Sequence, residues 1–326
     1  MATTRLVTAW YLAGYHGTPD DPGVVGMFTD PDRVGHFAVT REALEAETPE
    51  ALFSLLVATT MFQRRQDLQI MRVLRGISAR DAAALASSAG LLTAADACGC
   101  DAAVRLDRLL GQCDLRKDEG GQGACSYSPE TACAPKRHAV LLKRYGHFGK
   151  VPTSLALTLR AEGVPDLAEL RRRCIAESAT PAAASLALEA ALCRSWRVSD
   201  KIAAMYLSML SNPDLWPARA PWSDGLDWRR WVVIDSNVDL FLASIGYAGP
   251  GTYEARRAFL VALSAEIDLS ELKPGLCANN PRIVQQAAYL FMSVTNRRAL
   301  SRDCSKQAGA CSACAPALVE VCGLRR

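Results

Sequence analysis

The sequence has no apolar run that approaches the ~20 residues needed for a membrane-spanning helix. Its N-terminal stretch, MATTRLVTAWYLAGYHG, lacks both the apolar core and the small-residue cleavage site of a signal peptide. The 326 residues, 50% of them apolar, can bury a sizeable core in one large domain or two medium ones. We therefore expect a soluble, intracellular protein without a membrane partner, located in the cytoplasm or, in a bacterium, associated with the nucleoid.

The sequence also lacks a strong net charge. Its 37 Lys and Arg residues nearly balance 34 Asp and Glu residues, which leaves a formal charge of +3. This balance excludes a global basic field that would attract nucleic acid. It does not exclude a local basic face, because nucleic-acid binding depends on where Lys and Arg lie on the surface.

Alternation of apolar and polar residues with period two, which is typical of half-buried strands, is scarce. Internal repeats and low-complexity tracts are absent, and helical periodicity dominates. An apolar stripe from Leu52 to Leu74 predicts two helices with a turn at 63–66, QRRQ. Further helices are predicted at 80–92, 166–176, 181–193, 201–210, 237–245, 253–266 and 281–297. The sequence therefore predicts a nearly all-α fold.

Residues 97–138 interrupt the helical pattern with a segment rich in Gly, Cys and turn-forming residues. We interpret this segment as an insertion built around one short helical piece. Cys113, Cys125, Cys133 and His138 are the ligand types of a zinc site with three thiolates and one imidazole. Their irregular spacing leaves open the alternative that these cysteines are buried or bind nothing.

Twelve cysteines are many for an intracellular chain, where metal binding or burial is a better interpretation than disulfide formation. Four of them, Cys304, Cys311, Cys314 and Cys322, form the pattern C-x6-C-x2-C-x7-C. An all-cysteine zinc site usually pairs its ligands in two short C-x2–4-C units, and only the middle interval is short here. The spacing therefore favours a [4Fe–4S] cluster over zinc, with unligated cysteines as a third alternative.

This tail resembles the C-x6-C-x2-C-x5-C cluster loop of the iron–sulfur, endonuclease III-like branch of the helix–hairpin–helix (HhH-GPD) DNA glycosylases. The first two intervals match, and the last is two residues longer, which bears on the placement of Cys322.

Four further motifs follow the order of that family along the chain. TTMFQRRQD is similar to the family's LLSAQATD and puts Gln63 at its glutamine. YGHFGKVP, at 145–152, resembles the HNGEVP turn. SWRVSDKIA is similar to LPGVGRKTA and puts Lys201 at the catalytic lysine, while VIDSNVDLFL resembles VDTHV and puts Asp235 at the catalytic aspartate.

The resemblance implies a two-domain HhH-GPD fold. A helix–hairpin–helix domain would span 49–232, with the insertion at 97–138, and 1–48 plus 233–326 would form the iron–sulfur cluster domain. The implied activity is that of a bifunctional DNA glycosylase and AP lyase, a monomer that binds double-stranded DNA with an extruded base. Lys201 would attack the sugar and form a Schiff base, and Asp235 would stabilise the oxocarbenium-like sugar.

The same resemblance implies DNA contacts for several residues. Gln63 would fill the space that the extruded base leaves, with Arg64, and Arg65 next to it, on phosphate or on the orphan base. In the hairpin, Arg197 and Ser199 replace the two glycines of the family's GVG, which removes the freedom for positive φ. Arg197 or the Ser199 hydroxyl would then contact phosphate. The alternative is that the hairpin binds DNA weakly.

Ordinary structural roles remain as alternatives. A lysine in SDKIAA is commonly solvated, and an aspartate before SNVDLFL suits a helix N-cap. The rival functions are a non-catalytic DNA-binding protein on the same scaffold and a monofunctional glycosylase that activates water through Asp235. The sequence does not specify which base is excised, and the Trp-rich loop 212–231 either reshapes substrate access or caps the core.

Overall fold

The computed structural model describes residues 1–17, 23–117, 125, 132–293 and 316–322. Within these ranges every regular element is a helix and no strand occurs, which confirms the prediction of an all-α fold. In the same ranges, none of the helices has the length and apolar character required to cross a membrane.

The helices, numbered in chain order, are α1 (Ala2–Gly14), α2 (Gly23–Thr29), α3 (Pro31–Val34), α4 (Arg41–Glu45), α5 (Pro49–Thr60), α6 (Asp67–Arg75), α7 (Ala79–Ala86), α8 (Ser88–Asp96), α9 (Leu106–Gly111), α10 (Ala134–Leu141), α11 (Lys150–Glu162), α12 (Leu167–Ala176), α13 (Pro181–Cys193), α14 (Asp200–Ser211), α15 (Ser236–Ser244), α16 (Tyr253–Ala265), α17 (Leu269–Leu272), α18 (Pro281–Met292) and α19 (Pro316–Val321). Short 3-10 turns lie at Gly35–Phe37, Asp101–Ala103, Gly146–Gly149, Pro213–Leu215 and Trp228–Arg230.

The chain divides into two compact units. The first, called the hairpin unit below, contains Met27–Tyr206 and Asp224–Asp227. The second, called the terminal unit, contains Met1–Gly26, Leu207–Ser223 and Trp228–Arg326.

Helix α11 is the centre of the hairpin unit. It contacts α5, α8, α9, α10, α12 and α13, and its residues from Lys150 to Leu159 are all buried. Helix α10 lies against the 3-10 turn Gly146–Gly149 at very short range, because a Cβ atom on Gly149 would come within 1.9 Å of the Pro135 carbonyl oxygen. Only glycine can occupy position 149 without moving one of these two segments.

Helix α18 is the centre of the terminal unit, where it contacts α1, α15 and α16. The apolar core around it includes Val7 and Tyr11 of α1. Trp216, Trp222 and Trp231 are buried within this unit. Their burial favours the core-capping alternative for the Trp-rich loop.

Several helix boundaries agree with the sequence prediction to within one residue, notably those of α12, α13 and α14. The QRRQ turn separates α5 from α6 as predicted. The single helix predicted at 80–92 is wrong: two helices meet at Ser87, whose hydroxyl accepts a hydrogen bond from the Gly90 N–H and so starts a new helix.

Candidate functional site

A tight hairpin at 194–199 joins α13 to α14, and Trp196 anchors it within the hairpin unit. The Trp196 backbone N–H donates to Ser154 Oγ at 2.9 Å, and its indole N–H donates to the His147 carbonyl oxygen at 2.6 Å. The side chain of Val198 is buried beside it. These contacts hold the turn between Trp196 and Ser199 in one conformation.

Arg197 lies in the left-handed region of the backbone map, with φ at 64°. The expectation that loss of the family's two glycines removes positive φ is therefore wrong at this residue. A non-glycine residue in this conformation costs about 1–2 kcal/mol, which the anchored neighbours must offset. The backbone at position 197 therefore has the conformation that glycine would favour, and the residue there also carries a guanidinium group.

Gln63 ties the loop after α5 to this hairpin. Its side-chain Nε2 donates to the Thr60 carbonyl oxygen at 2.7 Å and to the Arg197 carbonyl oxygen at 3.1 Å. The structure thus brings together Gln63 and Arg197, which the sequence analysis selected from segments far apart in the chain. The amide of Gln63 is engaged by protein, not held out towards solvent.

Arg144 stabilises the same loop after α5. Its guanidinium donates to the Gln63 carbonyl oxygen at 3.1 Å and lies over the Phe148 ring, 4.1 Å from Cζ to the ring centroid. Burial, followed by the charges of Arg65 and Arg64, lowers the pKa of Arg144 to about 10. Arg64 also has a positive φ, 58°, and is exposed beside the braced loop.

His147 lies among these cations. Burial lowers the pKa of His147, and the charges of Arg197, Lys150, Lys117 and Arg64 lower it further. The residues that shape this field, called the basic cluster below, are Arg64, Arg65, Lys117, Arg144, Lys150 and Arg197. Arg64, Arg65 and Lys117 are exposed, whereas Arg144 and Lys150 are buried. Sequence reasoning missed Lys117, Arg144 and Lys150 because they come from separate segments.

Two polar atoms in this region are buried without a hydrogen-bond partner among the described residues. They are His147 Nδ1 and Arg197 Nε. A buried, unpaired polar atom is costly, on the order of 1–3 kcal/mol, unless a ligand satisfies it. Beside several cations, the ligand that best fits is an anion such as a phosphate group.

Lys201 is the second residue of α14 and is half-buried in the hairpin unit. Ser199 is exposed just before it, and its carbonyl oxygen accepts a hydrogen bond from the Ala203 N–H at 2.9 Å. Asp235 belongs to the terminal unit. That the Lys201 and Asp235 side chains act on one substrate stays a prediction.

Asp235 is the N-cap of α15. Its Oδ1 atom accepts from the Asn237 N–H at 3.1 Å and from the Val238 N–H at 2.9 Å. The structural alternative for Asp235 is therefore correct, and the cap fixes the direction of the carboxylate without using Oδ2. Capping and catalysis are compatible, since a positioned carboxylate is what stabilisation of a sugar cation requires.

Arg282 of α18 is a charged neighbour of Asp235 that the sequence did not indicate. It is buried in the terminal unit, and its Nε donates to Ser208 Oγ at 3.2 Å. Burial lowers the pKa of Arg282 to about 10, opposed by Tyr11, Tyr253 and Asp235.

Of the predicted cluster ligands, Cys304, Cys311 and Cys314 lie outside the described residues. Cys322 follows α19 and is half-buried against the apolar core of the terminal unit. In the part of the chain that the structure describes, no group of three or more His, Cys, Asp or Glu side chains is arranged to hold a metal ion.

His138, the imidazole in the alternative zinc set, is fully engaged elsewhere. It is buried in α10, with Nδ1 at 3.4 Å from Thr153 Oγ1 and a hydrogen bond to the Gly149 backbone. Burial is the main cause that lowers the pKa of His138 to about 4, with the charge of Arg137 adding to it. The ring is a neutral core group, so it is a poor candidate for a metal ligand.

Comparison with known proteins adds no relative: no protein-family model, curated protein or solved structure matches this chain.

Proposed function

We propose that this chain is a DNA glycosylase with AP lyase activity, which excises a damaged or modified base from double-stranded DNA. The observation that supports this proposal most is the basic cluster around the Trp196–Ser199 hairpin, where residues selected by their resemblance to a DNA glycosylase converge. A scatter of these residues over unrelated surfaces would have argued against it.

In this proposal the hairpin binds the DNA backbone. A phosphate oxygen accepts from Arg197 Nε and from His147 Nδ1, the two buried atoms without a partner among the described residues. The exposed Ser199 hydroxyl and Arg64 guanidinium add further donors at the rim. Contacts of this kind fix register and orientation and carry no base specificity.

The chemical step is assigned to Lys201. Its unprotonated amine attacks C1′ of the extruded nucleotide, a new N–C1′ bond forms, and the glycosidic bond breaks with its electron pair leaving on the base. The base takes up a proton, and the amine loses one as the sugar ring opens to a Schiff base. Removal of the C2′ proton then expels the 3′ phosphate by β-elimination.

Asp235 is assigned the stabilising role. A carboxylate fixed by its own helix N-terminus, with the buried Arg282 cation nearby, can oppose positive charge on the sugar. Oδ1 serves the cap, which leaves Oδ2 for the substrate.

The four tail cysteines, Cys304, Cys311, Cys314 and Cys322, would hold the [4Fe–4S] cluster. Four thiols are the donor set that such a cluster takes, and the half-buried position of Cys322 provides the shielded surroundings it needs. When bound, the cluster supplies a structural support for the end of the terminal unit.

The test is borohydride trapping on synthetic duplexes that carry uracil, hydroxymethyluracil, an oxidised pyrimidine, a mismatch or an abasic site. We expect a covalent protein–DNA adduct with the wild type on the abasic duplex and on one damaged duplex. Lys201→Ala and Lys201→Arg should both lose it. Lys201→Arg is the matched control, because it keeps the positive charge but cannot form a Schiff base.

Two results would replace the proposal. Base excision that survives in Lys201→Ala would indicate a monofunctional glycosylase that activates water. Binding to every duplex without excision or trapping would indicate a DNA-binding protein without catalysis, which the capping role of Asp235 favours as the second candidate.

A further inference from the structure

Tyr145 is an aromatic residue that the core of the hairpin unit does not enclose. Its exposure is 41%, and no other Phe, Trp or Tyr that the structure describes is as open to solvent. A single exposed apolar side chain is common on protein surfaces and does not by itself indicate a binding site. The support of this ring and the charges around it distinguish Tyr145 from an ordinary surface residue.

The backbone on both sides of Tyr145 is held by hydrogen bonds. The preceding residue, Arg144, is buried and donates from its guanidinium to the Gln63 carbonyl oxygen at 3.1 Å. Two residues after Tyr145, the His147 carbonyl oxygen accepts the hydrogen bond from the Trp196 indole N–H at 2.6 Å. The exposed ring therefore lies on a fixed backbone, so little conformational freedom is lost when a partner packs on it.

The groups next to the ring suit a planar and anionic partner. The His147 ring is nearly parallel to the Tyr145 ring, at an interplanar angle of 11° with 6.3 Å between the ring centroids. The Nζ atom of Lys117 lies over the Tyr145 ring, 4.4 Å from its centroid. A cation in this position is attracted by the negative face of the ring. The Lys117 side chain is exposed, so a planar group can replace it there without disturbing the core.

Exposed arginines lie close to the same ring. The hydrogen bond between Arg144 and the Gln63 carbonyl oxygen brings the residues that follow them, Tyr145 and Arg64, near each other. Arg64 and the next residue, Arg65, are both exposed. An open aromatic ring beside flexible cations is the combination with which proteins bind single-stranded nucleic acid, because the ring stacks on a base and the cations bind phosphates.

We propose that Tyr145 is a stacking platform for one unpaired base of a DNA strand, whose flanking phosphates bind to Lys117 and Arg64. The base takes the ring face over which the Lys117 amine lies, and that amine moves from the ring to a phosphate oxygen. The cation–π contact is thereby exchanged for a charge-assisted hydrogen bond. The choice of DNA as the partner rests on the proposed function.

Stacking of this kind selects for the state of a base and not for its identity. Every base has a π face, so the contact tolerates any sequence. In an intact duplex both faces of a base are covered by its neighbours, whereas an extruded base or a base in a single strand has an open face. Tyr145 would therefore favour DNA that is already unpaired over an intact duplex.

The experiment compares two fluorescent single strands of about eight nucleotides, a length within the usual range of single-strand binding sites. One strand carries adenine at every position, and the other carries an unreactive, reduced abasic sugar at every position. The phosphates of the two strands are the same, so a difference in affinity reports the bases alone. We expect the purified full-length wild type to bind the adenine strand about tenfold more tightly, as measured by fluorescence anisotropy.

Three variants separate the ring from the charge. Tyr145→Ala should bind the two strands equally, whereas Tyr145→Phe keeps the ring and should retain the preference for adenine. Lys117→Met should weaken binding to both strands alike, because it removes only a phosphate contact. Leu186→Ala is the matched control for loss of an exposed apolar side chain, since Leu186 on α13 is 52% exposed, and it should bind as the wild type does.

Equal affinity of the wild type for the two strands, or no measurable binding to either, would overturn the platform. So would a preference that persists in Tyr145→Ala, or one that is lost in Tyr145→Phe. Binding to these strands requires neither Lys201 nor base excision. Failure of borohydride trapping would therefore leave this inference standing, whereas successful trapping combined with equal affinities would overturn the platform and keep the proposed reaction.

Discussion

The Trp196–Ser199 hairpin and the start of α15 differ in whether their polar groups have hydrogen-bond partners. Around the hairpin, several cations gather and two buried polar atoms have no partner among the described residues. At the start of α15, Asp235 is satisfied by two backbone N–H groups, and a buried arginine lies nearby. The first region leaves polar atoms unsatisfied, and in the second the cap satisfies Asp235. Unsatisfied buried groups make the hairpin a candidate binding surface, whereas the carboxylate proposed as catalytic also serves the fold.

The largest expected effect concerns the support of the hairpin region. Gly149→Ala would put a methyl group 1.9 Å from the Pro135 carbonyl oxygen and 2.8 Å from the Ala139 nitrogen, so α10 or the 3-10 turn must move. We expect a loss of about 3 kcal/mol or more in the free energy of unfolding, as for severe overpacking. Urea denaturation measures it. The control is Gly111→Ala at the end of α9, where nothing lies within 4 Å and stability should hold.

A second prediction concerns His138, the buried histidine of α10. His138 has a pKa of about 4 in the folded protein because of burial, against about 6.5 when unfolded. Stability is therefore full above pH 6.5 and falls as the pH drops towards 4, because only the unfolded chain takes up the proton there. The expected loss is about 3 kcal/mol.

Denaturation curves from pH 7.5 to 4 test this expectation. His138→Gln should flatten the pH dependence over that range. A curve of the same slope in the variant would show that other groups cause the loss.

A third prediction concerns Arg197, where one substitution should raise the stability of the fold and lower the affinity for DNA. Arg197→Gly removes the cost of the left-handed backbone and should stabilise the protein by about 1 kcal/mol. The same change removes the proposed phosphate contact, so DNA affinity should fall, and the slope of log K against log salt should decrease by about 1.

Arg172→Ala is the control for this experiment. Arg172 is exposed on α12, paired with Glu169 and not a member of the basic cluster, so its loss should leave DNA affinity nearly unchanged. Equal weakening in the two variants would mean that net charge, not the hairpin, governs binding.

The smallest expected effect distinguishes the N-cap role of Asp235 from its proposed catalytic role. Asp235→Asn keeps a good N-cap, and Asp235→Ala removes it, so only the alanine variant should lose stability, by about 1 kcal/mol. Both should lose base excision, because both lose the charge. Excision that persists in Asp235→Asn would reduce this residue to a cap.

The part of this fold that follows local rules could be predicted from the sequence. Helices α12, α13 and α14 have apolar periodicity and clear starts, such as Thr180 before Pro181, and their boundaries were predicted closely. Helix α1 was not predicted, because polar Thr4 and Thr8 interrupt its buried face and no side-chain cap marks its start.

The candidate site was predictable to the extent that motifs carry it. Gln63, Arg64 and Arg197 could be selected by resemblance, but their convergence with Arg144 and Lys150 depends on how α5, α10 and α11 meet. The left-handed backbone at Arg197 opposes the preference of the residue itself, so no propensity rule predicts it. The position of Arg282 beside Asp235 likewise arises from tertiary structure alone.

The hydrogen bonds of the Gln63 amide set a condition on the DNA insertion implied by the proposed function. To enter a duplex and replace an extruded base, this side chain must first release the carbonyl oxygens of Thr60 and Arg197, which costs about 1 kcal/mol for each bond. In the proposed function, phosphate contacts at the hairpin would compensate for that release, whereas contacts to the loop alone would not. Gln63 would then enter the duplex only after the hairpin has bound the DNA backbone.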